Sequence, residues 1–230
     1  AALAAALLAL APSRHGGLLR AFGTNVRFQV KPDRKEELLA KLKACQEATL
    51  KEPLAVEFVF GEDVADPNLV HMHEHYNGKK GYEEHLATPQ RKDWEAFLAT
   101  EPLSSPPESK QFLVRRLPDS EWSRSISWEP RLCVNSDVRV NPEMREKFLD
   151  CIEKLQQATL EQEMQALEFL VGEDEETPNT FHLHEQYIGK EGLEAHEKEG
   201  HWDEWNTILQ LTYEGALDSV RYTDASFSQA

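Results

Sequence analysis

Residues 70–85 read VHMHEHYNGKKGYEEH, and residues 181–196 read FHLHEQYIGKEGLEAH. His71, His73, Glu74, Tyr76, Gly78, Lys79, Gly81 and His85 recur as His182, His184, Glu185, Tyr187, Gly189, Lys190, Gly192 and His196, each 111 positions on. The matches continue outward on both sides. Asn25, Pro32 and Gln46 recur 110 positions on as Asn135, Pro142 and Gln156. GlyGluAsp 61–63, Pro67, Asn68 and Trp94 recur 111 positions on as GlyGluAsp 172–174, Pro178, Asn179 and Trp205. The change of offset places one inserted residue near Glu163. A period this long with a single insertion means two copies of a whole domain, since a solenoid repeats every ~20–50 residues.

Composition agrees with two domains. A chain of 230 residues gives two units of roughly 100, each large enough to bury a core. The net charge of −16 and pI near 5.0 argue against binding nucleic acid, whose backbone requires a cationic surface, and disfavour an anionic membrane. No glycine-rich phosphate loop, GxSxG elbow or HExxH occurs. Cys45, Cys133 and Cys151 have no counterparts in the other copy and no metal-type spacing, so free, mostly buried thiols are expected. Residues 1–11, AALAAALLALA, are too short to span a bilayer as a helix. They resemble the hydrophobic part of a signal peptide ending at Ala9-Leu10-Ala11, although Pro12 fits poorly after it. Residues 1–22 are therefore read as a targeting remnant of a secreted or organellar precursor, or as an Ala-rich tail. They carry no weight in the fold; the compartment stays open.

The first domain is expected over residues 23–118, a connector over 119–131 and the second domain over 132–224. Residues 25–30, NVRFQV, alternate polar and apolar as a half-buried strand does. Pro32 and Asp33 open a helix to about Leu50, with Leu38, Leu39, Leu42 and Cys45 on one stripe. Strands are expected at 55–60, 69–76 and 111–117, with helices from Lys79 to Leu86 and from Pro89, and residues 104–109 as a linker-like loop. The second copy repeats the order, with strands at 134–140, 166–171, 180–187 and 217–222 and helices at 143–161 and 190–208. This βαββαβ order is the ferredoxin-like plait. One plait has helices on only one face of its sheet, so the other face needs a partner. The fold class is α+β: two tandem plaits packed as an intramolecular dimeric α+β barrel.

On the third strand, alternation puts His71, His73 and His75 on one face and Met72, Glu74 and Tyr76 on the other. Three imidazoles on one face can ligate zinc or copper. They can equally pack and hydrogen-bond between the halves, and Gln186 in place of the third histidine favours that reading. No metal is expected.

A strand carrying Glu74-x-Tyr76, a turn, a helix reaching His85 and a second helix with Trp94 recur as Glu185-x-Tyr187, His196 and Trp205. This pattern resembles the antibiotic biosynthesis monooxygenase family of dimeric α+β barrels, over about residues 24–117 and 133–223. Members pair two identical plaits; here the two are fused into a pseudo-dimer, which leaves further oligomerisation open. The resemblance implies oxidation of a small quinol-like or polyphenolic molecule by O2 with no metal or flavin cofactor. His85 and His196 match the family's helix histidine and are the expected catalytic bases. Tyr76, Tyr187, Trp94, Trp205, Asn25 and Asn135 are the expected substrate-pocket residues. His201 joins them, standing where the first copy has Gln90; many members carry histidine there, so the C-terminal half is expected to be the working one if only one works. A haem-degrading branch pairs a strand asparagine with a tryptophan and a histidine ten residues on. Asn25 and Asn135 match, but His85 and His196 stand at the tryptophan position and Glu95 and Asn206 at the histidine position, so that chemistry does not fit. Each site residue also has a structural role open to it. The histidines can bond backbone carbonyls, the tryptophans can be core aromatics, and Glu74 and Glu185 can be satisfied structural carboxylates. The alternative function is a non-catalytic tandem module, a binding or accessory subunit of a larger assembly.

Overall fold

A computed structural model describes residues 21–115, 130–212 and 218–225. Residues 1–20 of the expected targeting remnant and 119–129 of the expected connector lie outside them, while Phe22, expected in the remnant, opens the first strand. The first half runs β1 (Phe22–Gln29), α1 (Lys35–Thr49), β2 (Ala55–Asp63), β3 (Leu69–Tyr76), α2 (Lys79–Leu86), α3 (Pro89–Leu98) and β4 (Glu108–Val114). The second repeats it as β5 (Arg131–Arg139), α4 (Arg145–Gln162), β6 (Ala166–Asp174), β7 (Thr180–Ile188), α5 (Gly189–His196), α6 (Gly200–Thr212) and β8 (Asp218–Asp224). Helix α1 buries Leu38, Leu42, Gln46 and Thr49, a stripe at helical spacing. Pro89 occupies the first turn of α3, and the Thr88 hydroxyl caps it by accepting from the Arg91 N–H.

The eight strands close into a barrel in the order β1-β3-β2-β8-β5-β7-β6-β4. The expected pseudo-dimer of plaits is therefore the observed architecture. Each half keeps its own four strands adjacent, and the halves join where β2 meets β8 and β4 meets β6. These joins explain part of the repeat. A Cβ on Gly61 would run into the Thr223 carbonyl oxygen, and one on Gly172 would stand 2.6 Å from the Leu113 carbonyl oxygen. Only glycine lets the two backbones approach so closely.

The helices cover the outside of the barrel. Phe28, Phe58, Phe60, Val70 and Met72 meet Leu38, Leu42, Trp94 and Phe97 in one core. Val138, Phe169, Val171, Phe181 and Leu183 meet Phe148, Ile152, Leu155, Trp205 and Leu209 in the other. Strand β4 begins at Glu108, inside the stretch expected to be a loop, because Glu108, Ser109 and Lys110 pair with Arg27, Val26 and Asn25. Those residues are polar and exposed, so no hydrophobic alternation announced them. No helix among the described residues is long and apolar enough to cross a membrane.

Candidate functional site

Strand alternation sends the histidines of the repeat to two separate places. Those from the helices lie between sheet and helices; those from β3 and β7 point into the barrel.

In the outer site of the first half, His85 reaches from α2 to lie beside the Tyr76 ring, centroids 5.5 Å apart. Its Nδ1 donates to Glu52, with the two carboxylate oxygens 3.0 and 3.3 Å away. Gln90 Nε2 donates to the same Glu52 Oε1 at 2.6 Å. His85 Nε2 stands 3.9 Å from Glu74 Oε2, which accepts from the Tyr76 hydroxyl at 2.7 Å. Burial raises the Glu74 carboxyl above its ordinary value, and the His85 charge and the Tyr76 hydrogen bond offset this only in part. A narrow cleft, partly open to solvent, is lined here by Phe58, Met72, Glu74, His85, Gln90, Arg91, Trp94 and Cys45. Burial pushes the Cys45 thiol up to about 11, so it stays protonated.

The second half builds the same constellation with different cover. His196 Nδ1 lies 2.9 and 3.0 Å from the oxygens of Glu163, and His201 Nε2 lies 2.6 Å from Glu163 Oε1. The Tyr187 hydroxyl donates to Glu185 Oε2 at 2.6 Å. Burial opposes charge on His196, yet the Glu163 hydrogen bond and the Glu185 and Glu163 charges outweigh it and raise its pKa. Burial likewise opposes charge on Glu163, but the hydrogen bonds and charges of His196 and His201 hold its carboxyl below the ordinary range. The Trp202 ring sits edge-on to His196 at 4.9 Å, in the position that Arg91 occupies in the first half. His196 Nε2 is buried and has no hydrogen-bond partner.

Inside the barrel, Asn25 Oδ1 accepts from His73 Nδ1 at 2.7 Å, and Asn135 Oδ1 from His184 Nδ1 at 2.7 Å. The His73 and His184 rings stack across the halves, 3.6 Å apart and 4° from parallel. His71 is apart from them, tied to Asp63 Oδ2 at 2.8 Å, as His182 is to Asp174 Oδ2 at 2.9 Å. Beside the stack lie Glu57, Glu168, His75 and Gln186. Burial and the neighbouring Glu57 drive the Glu168 carboxyl well up, while hydrogen bonds from Glu168 and Gln186 help hold Glu57 low against burial. Burial pushes His184 down to about 3, so this imidazole is neutral.

The structure thus brings His85 together with Tyr76 and Trp94, and His196 with Tyr187 and His201. It does not bring Asn25 or Asn135 to them. On β1, Val26 and Phe28 pack against the helices, so Asn25 faces inward and orients His73, and Asn25 and Asn135 border a separate cleft with His71, Asp137 and Asp218. Trp205 is packed in the second core, 5.6 Å from Phe148. The expected three-histidine face is split, with His71 held by Asp63 and only His73 and His75 in contact with each other. Neither helix histidine bonds a backbone carbonyl through the contacts above; both are held by glutamates that sequence reading passed over. Glu52 and Glu163 are themselves a repeat pair 111 positions apart, but they fall at the insertion. Glu57 and Glu168 are another such pair.

The antibiotic biosynthesis monooxygenase family model matches residues 21–96 and 131–207, more than half of the chain. No curated protein matches. A structure from Fusobacterium nucleatum, provisionally named a monooxygenase, is 17% identical with a TM-score of 0.79, over 89% of this chain and 92% of its own. One from Lactobacillus acidophilus, similarly named, is 14% identical with a TM-score of 0.73, over 89% and 94%. A structure of an anthrone oxidase-like protein is 15% identical with a TM-score of 0.64, over 90% and 92%. At these identities the likeness is one of fold, and it extends across both halves. With the family pattern matched once in each plait, the chain belongs to the antibiotic biosynthesis monooxygenase family as a tandem, two-domain member.

Proposed function

We propose that the protein is a monooxygenase that oxidises a small phenolic or quinol-like molecule with O2 in the cleft beside His85, without a cofactor. The observation that carries this reading is the His85 imidazole, held through Nδ1 by Glu52 and lining a cleft together with Met72, Arg91 and Trp94. A base oriented by a carboxylate is the arrangement that activates a weak acid near neutral pH. His85 Nε2 takes a proton from an activated C–H or phenolic O–H. The resulting anion gives an electron to O2, and the two radicals combine into a carbon-bound peroxide. At a CH2 carbon, loss of water from the hydroperoxide leaves C=O, with one oxygen atom in the product and one in water. Arg91 places positive charge where the peroxide anion develops. Phe58, Met72 and Trp94 accommodate a flat ring. The reading favours the N-terminal half, where Arg91 borders the cleft, over the C-terminal half, where Trp202 covers His196.

Oxygen uptake by metal-stripped protein with a panel of hydroquinones, polyphenols and anthrones tests this. His85→Ala should lower the rate by about 10²–10⁴-fold, the range for loss of a general base. His196→Ala should leave the rate within a few-fold. Uptake with no substrate, or uptake indifferent to His85→Ala, would overturn the assignment. Loss of uptake on metal stripping would overturn its cofactor-free part.

A further inference from the structure

The inner face of the barrel carries a second cluster that the outer cleft does not use. Glu57 from β2, His73 and His75 from β3, Glu168 from β6 and Gln186 from β7 converge where the halves meet. We propose that His73, His75, Glu57 and Glu168 bind one divalent transition-metal ion of the zinc class, at a site that both halves complete.

The spacing of the donors fits. His73 Nε2 and His75 Nδ1 are 3.3 Å apart, and His75 Nδ1 is 3.9 Å from both Glu57 Oε2 and Glu168 Oε1. The ligand atoms of Glu57, His73 and His75 all lie within 4.8 Å of one another. Donors bonded at about 2.0–2.2 Å around a tetrahedral ion stand about 3.3–3.6 Å apart, so the three donors and Glu168, 3.9 Å from His75, draw inward through side-chain rotation when the ion binds.

The outer shell is already set. Asn25 Nδ2 donates to the Leu183 carbonyl oxygen at 3.1 Å, which turns its Oδ1 toward His73 as an acceptor. His73 therefore carries its proton on Nδ1 and presents the Nε2 lone pair to the cluster, as metal-bound imidazoles do. His75 needs only to carry its proton on Nε2. Glu168 is 1% exposed, and its Oε1, turned toward His75, meets no donor. Arg131 reaches Glu57 through Oε1 at 3.3 Å, leaving Oε2 toward the cluster, where Gln186 Nε2 holds it together with Glu168 Oε2 at 2.7 Å each. Two nitrogen and two oxygen donors suit an ion of intermediate softness.

The two halves differ at one informative position. Gln186 is the counterpart of His75, and its amide lies 3.0 Å from His184 Nε2 much as His75 approaches His73. A glutamine is therefore sufficient for packing here, and the histidine supplies a donor that packing does not require. The Glu163–His196–His201 group differs in kind, because Glu163 already meets both imidazoles at hydrogen-bond distance.

The test uses the full chain, stripped with chelator and dialysed. Co2+ is titrated while its ligand-field absorption is followed, and Zn2+ is counted after gel filtration. One ion per chain with a tetrahedral Co2+ spectrum is expected. His75→Gln should weaken binding by more than the about 10–100-fold that loss of an outer-shell partner costs, with circular dichroism and Tm near those of the parent. Glu168→Gln provides a second reading should His75→Gln fold poorly, and His201→Gln should change nothing. Absence of binding at micromolar metal, full stoichiometry in both His75→Gln and Glu168→Gln, or loss that follows His201→Gln would overturn the proposal. None of these readouts depends on oxygenase activity, so this site and the His85 reading stand or fall separately.

Discussion

Glu163 shows how much a single side chain can organise. It meets His196 and His201; Glu163 and His196 each shift the other's titration toward the charged form. His196, raised above its ordinary 6.5, stabilises the fold fully below that pH and loses this contribution as pH rises through its folded value. Glu163, lowered from 4.5, contributes fully above that pH and loses its contribution as pH falls through its folded value. The pair therefore stabilises most between pH 4.5 and 6.5. Glu163→Gln should cost about 1–3 kcal/mol inside that window, the range for a lost partner of a buried charged group, and less at pH 8.5. Urea melts at pH 5.5 and 8.5 measure the difference; an equal cost at both would show that the ion pair does not form. At this scale the sequence revealed the histidines, because paired short motifs isolate them, but not their glutamates, which sit outside the motif.

At the scale of elements, strand alternation was readable and decided most of the site. It correctly separated His71, His73 and His75 from Glu74 and Tyr76. The same period on β1 puts Asn25 inside with the histidines of β3, apart from His85. Strand ends were less readable, because β4 draws its partners from β1 and from the other half. The joins also make a stability prediction. A Cβ at position 172 would lie 2.5 Å from the Phe112 ring and 2.6 Å from the Leu113 carbonyl oxygen. Gly172→Ala should cost about 1–3 kcal/mol, as overpacking of a close contact does. Gly200→Ala, with nothing within 4 Å of the added carbon, should leave stability nearly unchanged. Thermal melts of the two variants check the contrast, and equal Tm values would show that the β4–β6 approach relaxes freely.

At the scale of the whole molecule, closure depends on both copies. Residues 21–115 alone keep β2 and β4 but lose β8 and β6, the strands that cover their outer edges. Expressed alone, this half should form a homodimer in which each copy's β4 covers the other's β2. Light scattering after gel filtration measures this, and a folded monomer would show that the joins are dispensable.

The sequence by itself determined the duplication, the order of elements in each copy, the face on which each strand residue lies and the barrel that two such plaits must form. These follow from period, punctuation and the need of each sheet's bare face for a partner, which are local or pairwise properties. Only the tertiary structure decided which glutamates hold His85 and His196, that Arg91 borders one cleft while Trp202 covers the other imidazole, and that Glu57 and Glu168 meet His73 and His75. The glutamates stand 33 positions from their histidines, and Glu168 meets His75 from the opposite half. Their distances are set by how helices and strands close on one another, which no spacing along the chain expresses.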